Sequence, residues 1–398
     1  ASLRARIAIL SAWYPEPRDN GAKHRLRATI DALAALGDVY VVVFLDETER
    51  QAVQGLPVAG VAGLAVLPLP DVRPYSPRAV LAGLSVTPRS LNATWDPRIA
   101  AQLRRFIIER GIDTVIAADM RTVHYLLSLP EEITLILDEP NVSPFVVTAG
   151  DGLRARLRQY KYRRLIQRAE PRLAAVLAPS RSEAHAYRTL GGRLPVVVPN
   201  VIPSAGAGRW QPPQARNVLY TGSMTYAPNA DAVAFWVQEI APLLEAQAPG
   251  VVLTVTGALP AVVPTFAKSP AVELTGRLER LEPAFAEARA FVAPLRSGTG
   301  TRIKLLEAMA QGLPVVGTSK AFEGIDITHG VHALVADDPA VFADSVARVL
   351  DDDAFAMQLG QAGQAFVLET YDPARIAQSL RNVVVAARSA SVSARHGG

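Results

Sequence analysis

The sequence predicts an α/β protein built as two doubly wound domains, each a parallel sheet with helices on both faces. Three observations carry this. Short apolar runs alternate with segments of helical period along most of the chain, which is the βαβ pattern. The chain has 398 residues, more than one domain at roughly 150 residues each. Between 199 and 215 it reads PNVIPSAGAGRWQPPQA, a Pro/Gly/Ser/Ala linker, and the alternation restarts beyond it. These features predict an N-terminal domain over 1–198, a linker over 199–215, a second domain over 216–370, a last helix over 371–388 and a disordered tail over 389–398.

Composition narrows the chemistry. Apolar residues make up 49% and charged residues 20%, as expected of large buried cores. There is no cysteine, which excludes disulfides and thiolate catalysis and fits a cytoplasmic setting. The apolar run Ile7 to Leu10 is too short for a signal peptide, and Val39 to Leu45 is too short for a membrane span. Asp351 to Asp353 lie between two expected helices, where capping explains them better than a metal does. No metal site is predicted.

In chain order, Ala5–Leu10 is a buried strand, Ser11–Gly21 a loop, Ala22–Leu36 a helix and Val39–Leu45 a second strand. The loop lacks Gly-x-Gly-x-x-Gly, which disfavours a dinucleotide. Lys23, His24 and Arg25 fall in the first helical turn, where they are either ligand groups or solvated. Residues 68–95 form a Pro/Ser/Arg-rich excursion with a short helix near 78–84. After a helix over 98–110, the strand 114–118 ends at Asp119, a site candidate because ligands of open α/β sheets bind at strand C-termini. The strand 133–137 ends at Asp138, Glu139, Pro140 and Asn141, whose carboxylates are either base and acceptor anchors or helix caps.

The segment 153–173 is a basic helix with interleaved Tyr160 and Tyr162. It is either a platform for an anionic surface or acceptor, placing the protein peripherally at the inner membrane face, or a solvated face. Nucleic acid is not expected, since no recognition fold accompanies the charge. A strand over 174–178 follows, then a helix opened by Ser180 and Glu183 as a capping box, and a strand over 195–198.

The second half has strands at 218–221, 251–255 and 272–274, each followed by glycine at 222, 257 and 276, with an amphipathic helix over 229–244. The densest signal is RAFVAPLRSGTGTRIKLLEAMAQGLPVVGT, from Arg289 to Thr318. It reads as strand, Gly-rich loop, helix, strand. Gly298 and Gly300, alternating with Thr299 and Thr301, allow close backbone approach, and the helix N-terminus offers free N–H groups, so the loop suits a phosphate. Arg302 and Lys304 in the first turn oppose the helix dipole, a local cost that a bound anion would offset. Glu307, a turn further on, can accept hydrogen bonds from sugar hydroxyls.

The run LLEAMAQGLPVV, Leu305 to Val316, resembles the donor-site signature of the retaining family-4 glycosyltransferases of the GT-B fold, Glu-x7-Glu followed by Ala-Met-Ala-x-Gly-x-Pro-Val-Val. The second Glu falls on Glu307 and the first position on Thr299, so the pair is incomplete. The resemblance implies two Rossmann-like domains facing across a cleft and a nucleotide-diphosphate sugar as donor. It implies that Glu307 holds the donor ribose and that position 299 contacts the donor sugar. It implies that Gly21 lies near the diphosphate and acceptor, that Gly276 and Arg277 meet the nucleobase, and that the 68–95 excursion shapes the acceptor site. The family often carries an Arg and a Lys after the first strand of the second domain. Here GSMTYAPN has neither, so the diphosphate role passes to Arg302 and Lys304, with backbone N–H groups near Gly222, Ser223 and Gly300.

These readings combine into a retaining, metal-independent hexosyltransferase without a cofactor. Asp119, Arg302 and Lys304 are its expected catalytic groups, and His24, Asp138, Glu139 and Asn141 its acceptor candidates among glycans, lipid-linked glycans or small molecules. A GT-B epimerase and a non-catalytic sugar-nucleotide-binding protein are the alternatives.

Overall fold

The computed structural model describes residues 4–17, 21–70, 80, 85–86, 88, 91, 94–147, 152–202, 210–262, 264–298, 300 and 302–396. The chain divides into two units, one of Ala1–Val201 with Ala374–Gly398 and the other of Ile202–Pro373.

The first unit holds strands β1 (Ala5–Ser11), β2 (Gly37–Leu45), β3 (Gly63–Pro68), β4 (Thr114–Ala117), β5 (Thr134–Asp138), β6 (Leu173–Ala178) and β7 (Val196–Val197). They form one sheet in the order β3-β2-β1-β4-β5-β6-β7, and each adjacent pair is parallel. Ile7, Ile9, Leu10, Val41, Val43, Val115 and Ile116 have no solvent exposure, as continuous apolar strands covered on both faces must. The covering helices include α1 (Gly21–Leu33), α2 (Glu47–Ala52), α3 (Pro97–Glu109), α4 (Val123–Leu127), α5 (Leu153–Ala169) and α6 (Arg181–Thr189). The basic helix α5 stops at Ala169 because Pro171 follows, and a short 3-10 turn over Glu170–Arg172 leads into β6. The 68–95 excursion, with its expected helix at 78–84, lies largely outside the described residues.

The second unit repeats the logic with β8 (Val218–Thr221), β9 (Leu253–Thr256), β10 (Val272–Gly276), β11 (Ala290–Ala293), β12 (Val315–Gly317) and β13 (Leu334–Val335), ordered β10-β9-β8-β11-β12-β13. Its helices include α7 (Ala227–Phe235), α8 (Ala241–Gln247), α9 (Glu282–Glu287), α10 (Ile303–Ala310), α11 (Pro339–Asp351) and α12 (Asp353–Thr370). The expected single helix over 229–244 is interrupted by a π turn at Trp236–Ile240. Pro242 has no N–H to continue the ladder, so the widened turn falls just before it.

The last helix, α13 (Pro373–His396), runs on where the sequence reading ended it at Arg388 and began a disordered tail. Arg388 explains the extension. Its Nη2 donates to Asp113 at 3.0 Å within the first unit, and the residues beyond it contain no proline or glycine before Gly397. Asp352 caps α12 through a 2.9 Å bond from the Phe355 N–H, the capping role expected for the 351–353 cluster.

One buried ion pair ties the first unit together. Arg25 of α1 donates to both oxygens of Asp138 at 2.9 and 2.6 Å, and its Nη1 donates to the Val198 carbonyl at 2.8 Å and Asn200 Oδ1 at 3.0 Å. Arg25 and Asp138 are 7% and 3% exposed. Removing one partner of such a pair leaves an uncompensated buried charge, at a cost of about 3–5 kcal/mol. Arg25→Met should therefore lower the unfolding free energy in denaturant titration by that amount, and Arg25→Met with Asp138→Leu should recover much of it. A loss of under ~1 kcal/mol for the single variant would show that the pair does not hold the unit.

Candidate functional site

In each sheet the chain winds outward in both directions from a central strand. The reversal falls between β1 and β4 in the first unit and between β8 and β11 in the second. Loops leaving the two strands diverge there, and the C-terminal ends open a crevice.

In the second unit the β8 loop meets the β11 loop. Lys304, near the start of α10, points its ammonium at β8. Nζ donates to Tyr220 Oη at 2.5 Å and to Asn229 Oδ1 at 3.0 Å, and it lies 3.9 Å from the centre of the Tyr220 ring. Tyr220 Oη donates to the same Asn229 oxygen at 2.7 Å, and Asn229 Nδ2 reaches back to the Ser223 carbonyl at 2.9 Å. These bonds use two of the three ammonium protons. Burial, then the charge of Arg302, pushes the Lys304 ammonium well below the usual lysine range. Burial also lowers Arg302 and raises the carboxyl of Glu307. The Glu307 carboxylate has no hydrogen-bond partner among the described residues.

Glycine geometry shapes the same place. Gly298 has φ +98°, and a Cβ there would lie 2.9 Å from Arg302 Nη2 and 3.3 Å from Pro228, so only glycine lets the guanidinium fold back on its own loop. Gly257 has φ +151°, and a Cβ there would lie 2.2 Å from the Gly222 carbonyl oxygen. That contact brings the β8 and β9 loops together, and the Gly257 N–H continues the line by donating to the Gly276 carbonyl at 2.9 Å. Gly222, Ser223 and Lys304 thus meet at Asn229, and Gly298 with Arg302 lies beside the neighbouring Pro228, whereas a Cβ on Gly300 would meet nothing within 4 Å; Gly276 is one strand further out and Arg277 is exposed. Thr299 and Thr301 lie outside the described residues. Arg302 is the residue preceding α10, which starts at Ile303.

The first unit has a cavity of about 310 Å³ at its own switch point, lined by Ser11, Trp13, Arg25, Asp119, Arg121, Asp138, Glu139, Asn141, Phe145 and Tyr162 among others. Phe145 and Tyr162 stack at 3.6 Å between ring centres, and Arg121 lies 4.5 Å over Trp13. Asp119 caps the turn after β4, accepting from the Arg121 N–H at 2.8 Å and from its Nη2 at 2.7 Å. Glu139 is 4% exposed and accepts from the backbone N–H groups of Met120 at 2.8 Å and Asn141 at 3.0 Å. Burial pushes its carboxyl up to about 8, against those two N–H groups and with the charges of Asp119 and Glu183.

Two expectations change here. Asp138 is neither a free base nor a helix cap, because Arg25 occupies both its oxygens. Ser180 caps α6 through the Glu183 N–H at 3.3 Å, but Glu183 does not return the bond. Its carboxylate instead binds the N–H groups of Val142 and Ser143 at 2.7 and 2.9 Å, holding the loop after β5. Gly21 opens α1 and His24 lies in its first turn, and neither lines the cavity. Sequence reasoning missed Tyr220, Asn229, Trp13 and Arg121. The position of Tyr220 and Asn229 around the Gly222 loop was a signal for the first two. Among the described residues no group of acidic, histidine or cysteine side chains could hold a metal ion, and no helix is long and apolar enough to cross a membrane.

Residues 215–352 match the family described as glycosyl transferases group 1. A curated relative, the uncharacterized 44.6 kDa protein in the cps region of Klebsiella pneumoniae, is 24% identical over 173 residues. That match covers 41% of this chain and 45% of the relative, so the matched part spans less than half the relative's length. Among solved structures, sucrose-phosphate synthase from Thermosynechococcus elongatus superposes with a TM-score of 0.71 at 17% identity, covering 97% of this chain and 100% of that one. HepE from Anabaena, crystallised in complex with UDP and glucose, gives 0.66 at 13%, covering 96% and 99%. S. aureus TarM, crystallised with UDP, gives 0.57 at 13%, covering 72% and 58%. The class these findings support is a two-domain fold of the GT-B type. The match to glycosyl transferases group 1 falls within its second unit.

The buried Glu139 carries a pH signature. A carboxyl with a folded pKa of about 8 against a usual 4.5 binds its proton more tightly in the folded state. The stability it contributes is complete below 4.5 and is lost as pH rises through about 8. Unfolding free energy followed across that window should fall more steeply for the wild type than for Glu139→Gln. Parallel profiles would show that the carboxyl does not carry the proton.

Proposed function

We propose that the protein is a glycosyltransferase that moves a sugar from a nucleotide-diphosphate sugar to an acceptor, with retention of anomeric configuration. The observation that carries this reading is the partly buried Lys304 ammonium at the β8/β11 switch point, with one proton unused beside Arg302 and a glycine-rich loop. A diphosphate fits it. Two cations and the free N–H groups of α10 would neutralise the charge that develops on the leaving group, the largest usual electrostatic contribution to such a reaction. Glu307, one turn inside, would accept hydrogen bonds from the donor ribose. Gly276 and Arg277 would meet the nucleobase. The first-unit cavity, with its aromatic walls and the Asp119 and Glu139 carboxyls, would take the acceptor. In this scheme the diphosphate leaves the anomeric carbon, the acceptor oxygen attacks from the same face, and the departing phosphate oxygen takes the acceptor proton. No metal or cofactor is needed, because the cations already supply the counter-charge.

HepE and TarM were each crystallised with UDP, which makes UDP the first nucleotide to try. Thermal stabilisation by UDP, GDP, ADP, CDP and dTDP, with and without EDTA and with NAD as a control, tests donor binding. A nucleotide at about 100 times its Kd adds roughly 2.7 kcal/mol. One diphosphate should stabilise the wild type despite EDTA. Lys304→Met should weaken it on the order of ten- to a hundredfold, by about 1.5–3 kcal/mol. Because burial holds the free ammonium well below its usual range, wild-type affinity should also fall as pH rises through that lowered range, and the variant should lack that fall. Unchanged affinity in Lys304→Met, or stabilisation by NAD alone, would sink the reading. Incubation with the stabilising sugar nucleotide, followed by NMR assignment of the product anomer, decides retention.

A further inference from the structure

The outward face of α5 is not used by either switch point. The helix buries Tyr162, Leu165, Ile166 and Ala169, which share one side at 100° per residue. The opposite side carries Leu153, Leu157, Tyr160 and Arg164. Leu153 is 83% exposed, Leu157 53% and Tyr160 51%. Arg156 and Arg163 flank this stripe on one edge, and Lys161 and Arg168 on the other.

The charge on this helix is one-sided. Its 17 residues include seven cations and no carboxylate. Outside it the chain has 34 basic and 37 acidic residues, so the helix supplies the whole positive balance of +4. Among the described residues, Arg154, Arg156, Arg163, Arg164 and Arg168 form no salt bridge. The first turn has no acidic residue and no side-chain cap, although Arg154 and Arg156 oppose the dipole there. A merely solvated helix is better served by mixed charges at i,i+4 and gains nothing from exposed leucines. A dissolved polyanion would use the arginines and leave the leucines idle. A bilayer surface with anionic headgroups uses both, taking the leucines and tyrosine to the acyl boundary while the arginines reach the phosphates.

We propose that the outward face of α5 docks on an anionic lipid bilayer surface. Co-sedimentation of the full chain with phosphatidylcholine vesicles, with and without phosphatidylglycerol, tests it, and heparin serves as a soluble polyanion. The chain should bind the anionic vesicles, prefer them over neutral ones, and release as salt rises. Arg156→Glu with Arg164→Glu should weaken vesicle binding on the order of tenfold or more. Leu153→Ser with Leu157→Ser, which leaves every charge in place, should weaken vesicle binding but not heparin binding. Both pairs sit on exposed positions and should keep the wild-type Tm. Arg156→Gln with Arg164→Gln provides the same test should the reversal perturb folding. Absence of binding, equal binding to neutral vesicles, or Leu→Ser variants that bind vesicles like the wild type would overturn the proposal. The last result with tight heparin binding would assign the face to a soluble polyanion instead.

Discussion

The reversal of winding at the centre of each sheet is the constraint on which the rest depends. Parallel strands need crossovers, and crossovers cover both faces with helices, so the strand edges between β1 and β4 and between β8 and β11 are where loops part. Many of the buried polar groups among the described residues gather at these two places, while others, such as Arg27 and Arg289, are satisfied elsewhere. Those gathered in the first unit are Asp119, Asp138, Glu139 and Arg25. In the second they are Tyr220, Asn229, Arg302 and Lys304. The central strands themselves are apolar, with valine, isoleucine and leucine at zero exposure.

The two places handle charge differently. At the first, carboxylates are satisfied within the protein. Arg25 closes on Asp138, Arg121 closes on Asp119, and backbone N–H groups close on Glu139 and Glu183. Those bonds fix the loops after β4 and β5 and leave a shaped cavity with aromatic walls. At the second, two cations come from one short segment; burial lowers both, and the charge of Arg302 lowers Lys304 further. Like charges placed together in a partly buried crevice are unfavourable in the free protein, and an anion removes that penalty. A side chain at Gly257 would strike the Gly222 carbonyl and one at Gly298 the Arg302 guanidinium, and their backbone angles exclude replacement without strain.

Much of this was legible in the sequence because the signals are local. Alternation of apolar runs and helical segments pointed to the doubly wound class, and Gly222 and Gly257 just after β8 and β9, Gly276 at the end of β10 and Pro294 after β11 marked strand ends. Lys304 stood out from its clash with the helix dipole. What was not legible depends on partners far apart in the chain. Asp138 reads as a free carboxylate at a strand end until Arg25, 113 residues earlier, closes on it. Glu183 completes a capping-box pattern by spacing, yet a loop 40 residues away offers three donors and wins. The tail after Arg388 reads as disordered from its small polar residues, and the anchor that orders it is Asp113. In each case local propensity was overridden by a charge-assisted contact that pattern reading has no means to pair.

The identity of residue 304 separates a structural from a functional explanation of the second site. If the only need were to fill the space under the glycine loop, an apolar side chain of the same length would serve better, because it would not pay desolvation of an ammonium. Tyr220 and Asn229 could satisfy one another, as their 2.7 Å bond already shows. The lysine instead adds a charge that forms no salt bridge among the described residues, next to a second cation that makes the charge harder to hold. An arrangement that is costly in the empty protein and relieved by a dianion is what differential binding of a leaving diphosphate requires. The same reasoning does not apply to Arg25, whose charge is cancelled inside the fold by Asp138, and this contrast is the basis on which a ligand role is proposed for Lys304 and an architectural one for Arg25.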